Sequence, residues 1–268
     1  MSAGNIRLDF RNHIAVLTLD RPDKRNALDA QMFSGLEAVV GKLKANLPRA
    51  LVLIGGGKAF CAGFDVHPDN PMNAHMLQAA AKNDTSLALK SIGRIREVAD
   101  ALMALPIPIV AALNGLAFGG GAEIAVRCDL RVMDPNAVIC FSETRLGLMP
   151  DFGGTPSLVR LVGPSVAADL ILTARKVTAS EALDLSLINR VSAPGKALDE
   201  ALALAKTIAA NGPRAVRAAL DVIRKSPDLP LEDALALEMD RAAALVASGE
   251  YIYGVSAFLE KKPPKFPD

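Results

Sequence analysis

Residues 112–130, "ALNGLAFGGGAEIAVRCDL", decide how this chain is read. The stretch is apolar and rich in glycine, with no charge before Glu123, which stands one residue beyond three glycines. A membrane span needs about 20 predominantly apolar residues without repeated breaks. Between residues 107 and 126 the chain instead has Pro108, an Asn114-Gly115 turn signal, the glycine triplet and Glu123. Those breaks favour a buried strand, a turn and a helix over a bilayer-crossing segment. Gly115 and Gly119 do match G-x-x-x-G, a pattern too weak to reverse that reading.

The same alternation runs outward on both sides. "HIAVLTLD" (13–20) alternates and is β-branched, so it predicts a strand. Leu28, Met32, Leu36, Val39, Val40 and Leu43 then recur at helical spacing. "ALVLIGGG" (50–57) predicts a buried strand feeding a loop. "SIGRIREVADALMAL" predicts an amphipathic helix stopped by Pro106 and Pro108. "IVAAL" and "VICF" (138–141) predict further strands, the second leading into "SETRLGLMPDFGGT". From about residue 156 helix follows helix. Gly163-Pro164 divides two of them, Thr178 with Glu181 forms a capping box, and Gly212-Pro213 ends one helix and starts the next. The layout predicts an α/β core over residues 1–195 and a helical region over 196–268.

Composition narrows the function. The 268 residues are 51% hydrophobic and 22% charged, the balance of a globular protein. A net charge of +1 with dispersed Lys and Arg offers no field for nucleic acid or an anionic membrane. Aromatics at 4% and no Trp also argue against a base-stacking surface. Cys61, Cys128 and Cys140 are odd in number and lack a C-x-x-C pair, which predicts free thiols in a reducing compartment. "MSAGNIRLDF" shows no apolar signal-peptide region, so the expected location is the cytoplasm.

Several chemistries fail on spacing. From Gly55, the third glycine of a dinucleotide fingerprint falls on Phe60, and Val52 stands where a Walker A motif needs its first glycine. No G-x-S-x-G elbow occurs, and His13, His67 and His75 form no metal spacing, so no metal is expected. Cys61 with His67 reads better as a small buried thiol beside an unrelated histidine than as a catalytic pair. Two junctions remain, "AFCAGFD" (59–65) and "AFGGGAE" (117–123). Both put small residues where backbone N–H groups can approach a ligand, the second at a helix N-terminus that favours negative charge. Two converging donors would hold an oxyanion, while tight strand–helix packing accounts for the spacing equally well.

At these residues the chain resembles the crotonase, or enoyl-CoA hydratase/isomerase, superfamily. The resemblance runs in register through "LDRPDKRNALD", "GGGKAFCAGFD", "PIPIVAALNGLAFGGGAEIAVRCDLRV", "FSETRLGLMPDFGGT", "TASEALDLSLINRV" and "GVSAFLEKKPPKF", nearly the whole chain. It implies a spiral of β-β-α turns with a C-terminal helical region that builds trimers or hexamers. It also implies an acyl-CoA thioester as substrate, with no cofactor besides the coenzyme A that the substrate carries. By motif position the thioester oxygen would sit between the N–H groups of Ala62 and Gly120. Arg25, Ala27, Gly63, Phe64 and Asp65 would line the CoA path. Family hydratases carry one glutamate after the glycine triplet and a second four residues before the "LG" glycine, and both positions match as Glu123 and Glu143. The resemblance thus implies hydration of a 2-enoyl-CoA, with Glu123 activating water and Glu143 delivering a proton to C2. Apolar surroundings raise such carboxyl pKa values, whereas a helix N-terminus lowers that of Glu123.

Two positions depart from the pattern. Asp151 stands where many family hydratases have a small residue, and members that shift double bonds or displace halide can carry an aspartate there. An enoyl- or dienoyl-CoA isomerase using Asp151 with Glu143 is therefore the alternative. Phe64 replaces a small residue beside the first junction. A binding or scaffold protein would have no need of both glutamates. The acyl pocket wall is expected from the segment near 66–95, which leaves chain length open.

Overall fold

The computed structural model describes residues 2–3 and 5–267. The chain opens with β1 (Ser2–Ala3), β2 (Ile6–Arg11), β3 (Ile14–Leu19) and α1 (Ala30–Ala45). Next come β4 (Ala50–Gly55), β5 (Ala59–Cys61), α2 (Met72–Lys82) and α3 (Thr85–Met103). The opening stretch resolves into β6 (Ile109–Leu113), β7 (Leu116–Phe118) and α4 (Gly120–Arg127). β8 (Leu130–Met133), β9 (Val138–Cys140), α5 (Gly154–Thr173), β10 (Val177–Thr178), α6 (Ala179–Asp184) and β11 (Arg190–Val191) complete the α/β part. The chain ends with α7 (Ala197–Ala209), α8 (Pro213–Lys225), α9 (Leu231–Ala247) and α10 (Glu250–Leu259).

Two sheets result, one in the order β1-β2-β3-β4-β6-β8-β11 and a smaller one in the order β10-β9-β7-β5. β4, β6 and β8 are parallel neighbours in the first, and their immediate successors β5, β7 and β9 are parallel neighbours in the second. Three times, then, the chain steps from the large sheet to the small one and returns through helix. That repetition is the spiral of β-β-α turns, and it stacks equivalent junctions side by side. "AFCAGFD" follows β5 and "AFGGGAE" follows β7, so the two junctions become neighbours. The contact is close: a Cβ on Gly121 would lie 2.3 Å from the Cys61 carbonyl oxygen.

All six residues of β3 are buried, because the sheet is covered on both faces. Leu17 and Leu19 pack into the main core with Met32, Leu36 and Leu43 of α1 and Ile95 and Leu102 of α3. Ile14 and Val16 face a second cluster with Val52, Val110, Ala201, Leu202 and Ala205. Those last three residues belong to α7. The division expected at 195/196 therefore does not separate packing units, since α7 covers the back of the sheet. Each Val or Leu buried there stabilises the fold by about 1.5–3 kcal/mol.

The helices beyond α7 are held differently. Arg224 of α8 forms an ion pair with Asp129 at 2.7 Å and donates to the carbonyl oxygens of Leu105 and Ile107. Buried Glu250 of α10 caps α8 by accepting the N–H groups of Arg214 and Ala215 at 2.9 and 2.8 Å. α9 has no buried residue, and Leu231, Leu235 and Met239 on it and Ile252, Phe258 and Leu259 on α10 are exposed. By length and composition, α5 alone, or α9 with α10 across a 72° bend, could cross a bilayer among the described residues. α5 is broken at Gly163 (φ 78°), where the Gly163-Pro164 signal divides two helices.

Candidate active site

The segment before α1 sets the position of the first junction. Arg25 and Asn26 both adopt left-handed backbone (φ 51° and 57°), which turns the Asn26 side chain inward. Fully buried, its Nδ2 donates to the carbonyl oxygens of Gly56, Ala59 and Phe60 at 2.8–3.2 Å, and its Oδ1 accepts the Arg21 N–H at 2.9 Å. One side chain thus fixes both ends of the β4–β5 turn. Arg21 reaches Asp65 at 2.5 Å. Burial alone would raise the Asp65 carboxyl, but its bonds to Arg21 and to the His67 N–H, with the Arg21 charge, hold it below the usual carboxylate range.

These contacts correct one expectation. The N–H of Ala62 donates to the Arg25 carbonyl oxygen at 2.9 Å, so it is committed within the chain. Leu28 bridges the next residues, donating to Gly63 O at 2.8 Å and accepting from the Asp65 N–H at 2.9 Å. In such a parallel bridge the intervening N–H, that of Phe64, points the other way. It meets no acceptor among the described residues. Gly63 (φ +90°) lies so close to the second junction that a Cβ on it would sit 2.8 Å from Phe118 O and 3.0 Å from Gly120 N. Gly120 is the first residue of α4, and its N–H has no partner one turn earlier. The paired free donors are therefore Phe64 and Gly120.

Glu123 is in the first turn of α4, fully buried. Its Oε2 accepts the N–H groups of Phe152 and Gly154, each at 2.8 Å, and its Oε1 takes the Asp151 N–H at 3.3 Å. Arg127, one turn along α4, donates to the Phe152 carbonyl and pairs with Asp100, so α4 grips the 151–154 loop at both ends. Glu143, at the start of a short 3-10 turn (Glu143–Leu146), is also buried, and neither of its carboxyl oxygens has a hydrogen-bond partner. A Cβ on Gly119 would lie 3.5 Å from Glu143 Oε1, which sets this carboxyl beside the glycine turn. Burial, opposed by the Gly154 N–H and reinforced by the adjacent Glu143, pushes the Glu123 pKa up to about 8. Burial likewise raises Glu143 and Asp151, and the Asp151 charge acts on both glutamates. Desolvation thus outweighs the helix N-terminus. Two adjacent buried carboxyls cannot both ionise cheaply, so the pair retains a proton near neutrality.

The other expected residues fall around this centre. Arg25 is exposed, Ala27 and Phe64 are half-buried, and Asp65 is turned inward to Arg21 rather than toward a ligand. Cys61 donates its thiol to Asn26 O, and burial pushes its pKa up to about 12, while His67 is exposed beside Asp69. No catalytic pair exists there. Asn26, Arg127 and Phe152 were not expected. The Phe152 ring packs 6.0 Å from that of Phe33, which lies 6.5 Å from Phe64. Beyond Phe33, between α1, α2 and α3, is a cavity of about 470 Å³.

The spiral α/β core thus carries two free N–H donors at neighbouring junctions and a buried pair of carboxyls beside the glycine turn. Residues 9–268 match the enoyl-CoA hydratase/isomerase family, and the chain belongs to it. YngF of Bacillus subtilis is 39% identical over 252 residues, 93% of each chain. The short-chain-enoyl-CoA hydratase of Clostridium acetobutylicum is 33% identical, covering 98% of this chain and 97% of its own. Among solved structures, an enoyl-CoA hydratase from Bacillus anthracis superposes with a TM-score of 0.87 at 30% identity, covering 98% of both chains.

Proposed function

We propose that this protein hydrates 2-enoyl-CoA thioesters to 3-hydroxyacyl-CoA. The observation that carries the reading is the pair Glu123 and Glu143, buried together beside the free N–H groups of Phe64 and Gly120. The thioester oxygen accepts both N–H groups, which hold the negative charge that develops as C3 is attacked. A donor of this kind is worth about a hundred- to thousand-fold in rate. In the reactive form the one proton of the pair is on Glu143, and ionised Glu123, anchored on Oε2 by Phe152 and Gly154, accepts a proton from water as the water oxygen bonds to C3. The π pair of C2=C3 moves to C2, which takes the proton of Glu143. The carboxyl pair begins and ends with one proton, and exchange through water returns it to Glu143.

No cofactor enters this scheme beyond the coenzyme A of the substrate. Self-association into trimers or hexamers is part of the proposal, supported by the exposed apolar side chains of α9 and α10. A cytoplasmic location fits the free buried thiols.

Asp151 supports a second reading. Its carboxyl is desolvated and its charge acts on both glutamates, so it could move a proton between distal carbons of an isomerase substrate in concert with Glu143. The ratio of hydration to double-bond migration in the wild type separates the two. Hydration that dominates, and falls only modestly in Asp151→Asn, supports the hydratase. Migration that dominates and vanishes in that variant overturns it.

A further inference from the structure

The cavity between α1, α2 and α3 has an unusual division of chemistry. Its inner wall is apolar, with Phe33, Met72, Ile95 and Val98, while Lys90 and Arg94 of α3 reach it from the rim. None of the lining residues is acidic. Neither cation forms an ion pair among the described residues, although Arg96 on the same helix pairs with Asp100. Both are exposed, and like charges four apart on a helix repel weakly, a repulsion that an anion between them would relieve. At about 470 Å³ the space is within the usual size of small-ligand sites.

Position ties the cavity to the acyl end of the substrate. Phe33 lines the cavity, and its ring lies 6.0 Å from that of Phe152 and 6.5 Å from that of Phe64 beside the reaction centre. The lining includes no residue of the expected CoA path. Resting on the acyl-CoA reading above, we infer that the pocket takes an acyl chain ending in a carboxylate. The methylenes lie against the apolar wall and the terminal anion is held by Lys90 and Arg94. A plain hydrocarbon tail would leave both cations to solvent.

The test compares adipoyl-CoA with hexanoyl-CoA, its neutral counterpart of equal length, by equilibrium binding to the wild type and to Lys90→Gln/Arg94→Gln. Ion pairs to two exposed cations predict that the wild type prefers adipoyl-CoA by about three- to thirty-fold. The double variant should lose most of that preference. Equal binding of the two esters by the wild type overturns the inference. So does an equal loss for both esters in the variant, which would assign the cations to the CoA phosphates. Both esters are saturated, so the result stands whether or not 2-enoyl-CoA is hydrated. Absence of turnover on any 2-enoyl-CoA would sink the hydratase reading alone.

Discussion

Replacing Glu123 by Gln should flatten the pH dependence of stability. In the folded chain the Glu123 carboxyl is raised from 4.5 to about 8, mainly by burial. Its stabilising contribution is fully present below the unfolded value and is lost as pH rises through the folded one. Within that window the native state holds a proton that the unfolded chain has released. Stability then falls by about 1.4 kcal/mol per pH unit, or about 2–3 kcal/mol from pH 5 to pH 7. Glutamine cannot ionise, yet its carbonyl can still accept the Phe152 and Gly154 N–H groups and its amide can donate toward Glu143. The variant should therefore gain on the wild type by that amount over the interval. Guanidinium unfolding at several pH values and one protein concentration measures the difference. Parallel stability curves for the two proteins would mean that Glu123 ionises normally and would refute the reasoning.

Gly154→Ala should reduce turnover strongly and also destabilise the fold, because the added Cβ would lie 2.4 Å from Cγ of the fully buried Glu123 and displace its carboxyl; unchanged kcat would contradict this. Cys61 and Cys128, both pushed up to about 12 by burial, should resist iodoacetamide at pH 8 until the protein is unfolded. Prompt labelling of either in the folded protein would count against their burial. Light scattering at micromolar concentration should give a trimer or hexamer, and removal of the chain from Leu231 onward should leave dissociated or insoluble protein; a stable full-length monomer would rule out the proposed assembly.

The large sheet and its helices were legible because their residues repeat at clear periods. Met32, Leu36, Val39, Val40 and Leu43, spaced for a helix, are the buried face of α1. "IVAAL" is β6 without adjustment. The small sheet was not legible as a sheet: "VICF" was read as the strand that is β9, but β5 and β7 have three residues each, too few to show alternation. Its strands exist because the spiral stacks them. The capping box at Thr178 was half right. Thr178 accepts the Glu181 N–H at 3.4 Å, but the Glu181 carboxylate pairs with Arg175 at 2.6 Å instead of reaching back.

At the candidate site, the positions of Glu123 and Glu143 came from the family resemblance, whereas replacing Ala62 by Phe64 as donor depended on backbone direction. Asn26 left no signal beyond being an asparagine in a turn. Its left-handed φ and burial make it the peg on which "AFCAGFD" hangs. α7 looked like the start of a separate helical region because Ala201 and Ala205 are too small to mark a core face on their own.

The central claim is most directly tested by following loss of the conjugated thioester absorbance of a trans-2-enoyl-CoA in the wild type, Glu123→Gln and Glu143→Gln. The account predicts steady hydration by the wild type, and a fall in kcat of at least about a hundred-fold in each folded variant. Near-normal turnover in either variant would contradict the two-carboxyl mechanism.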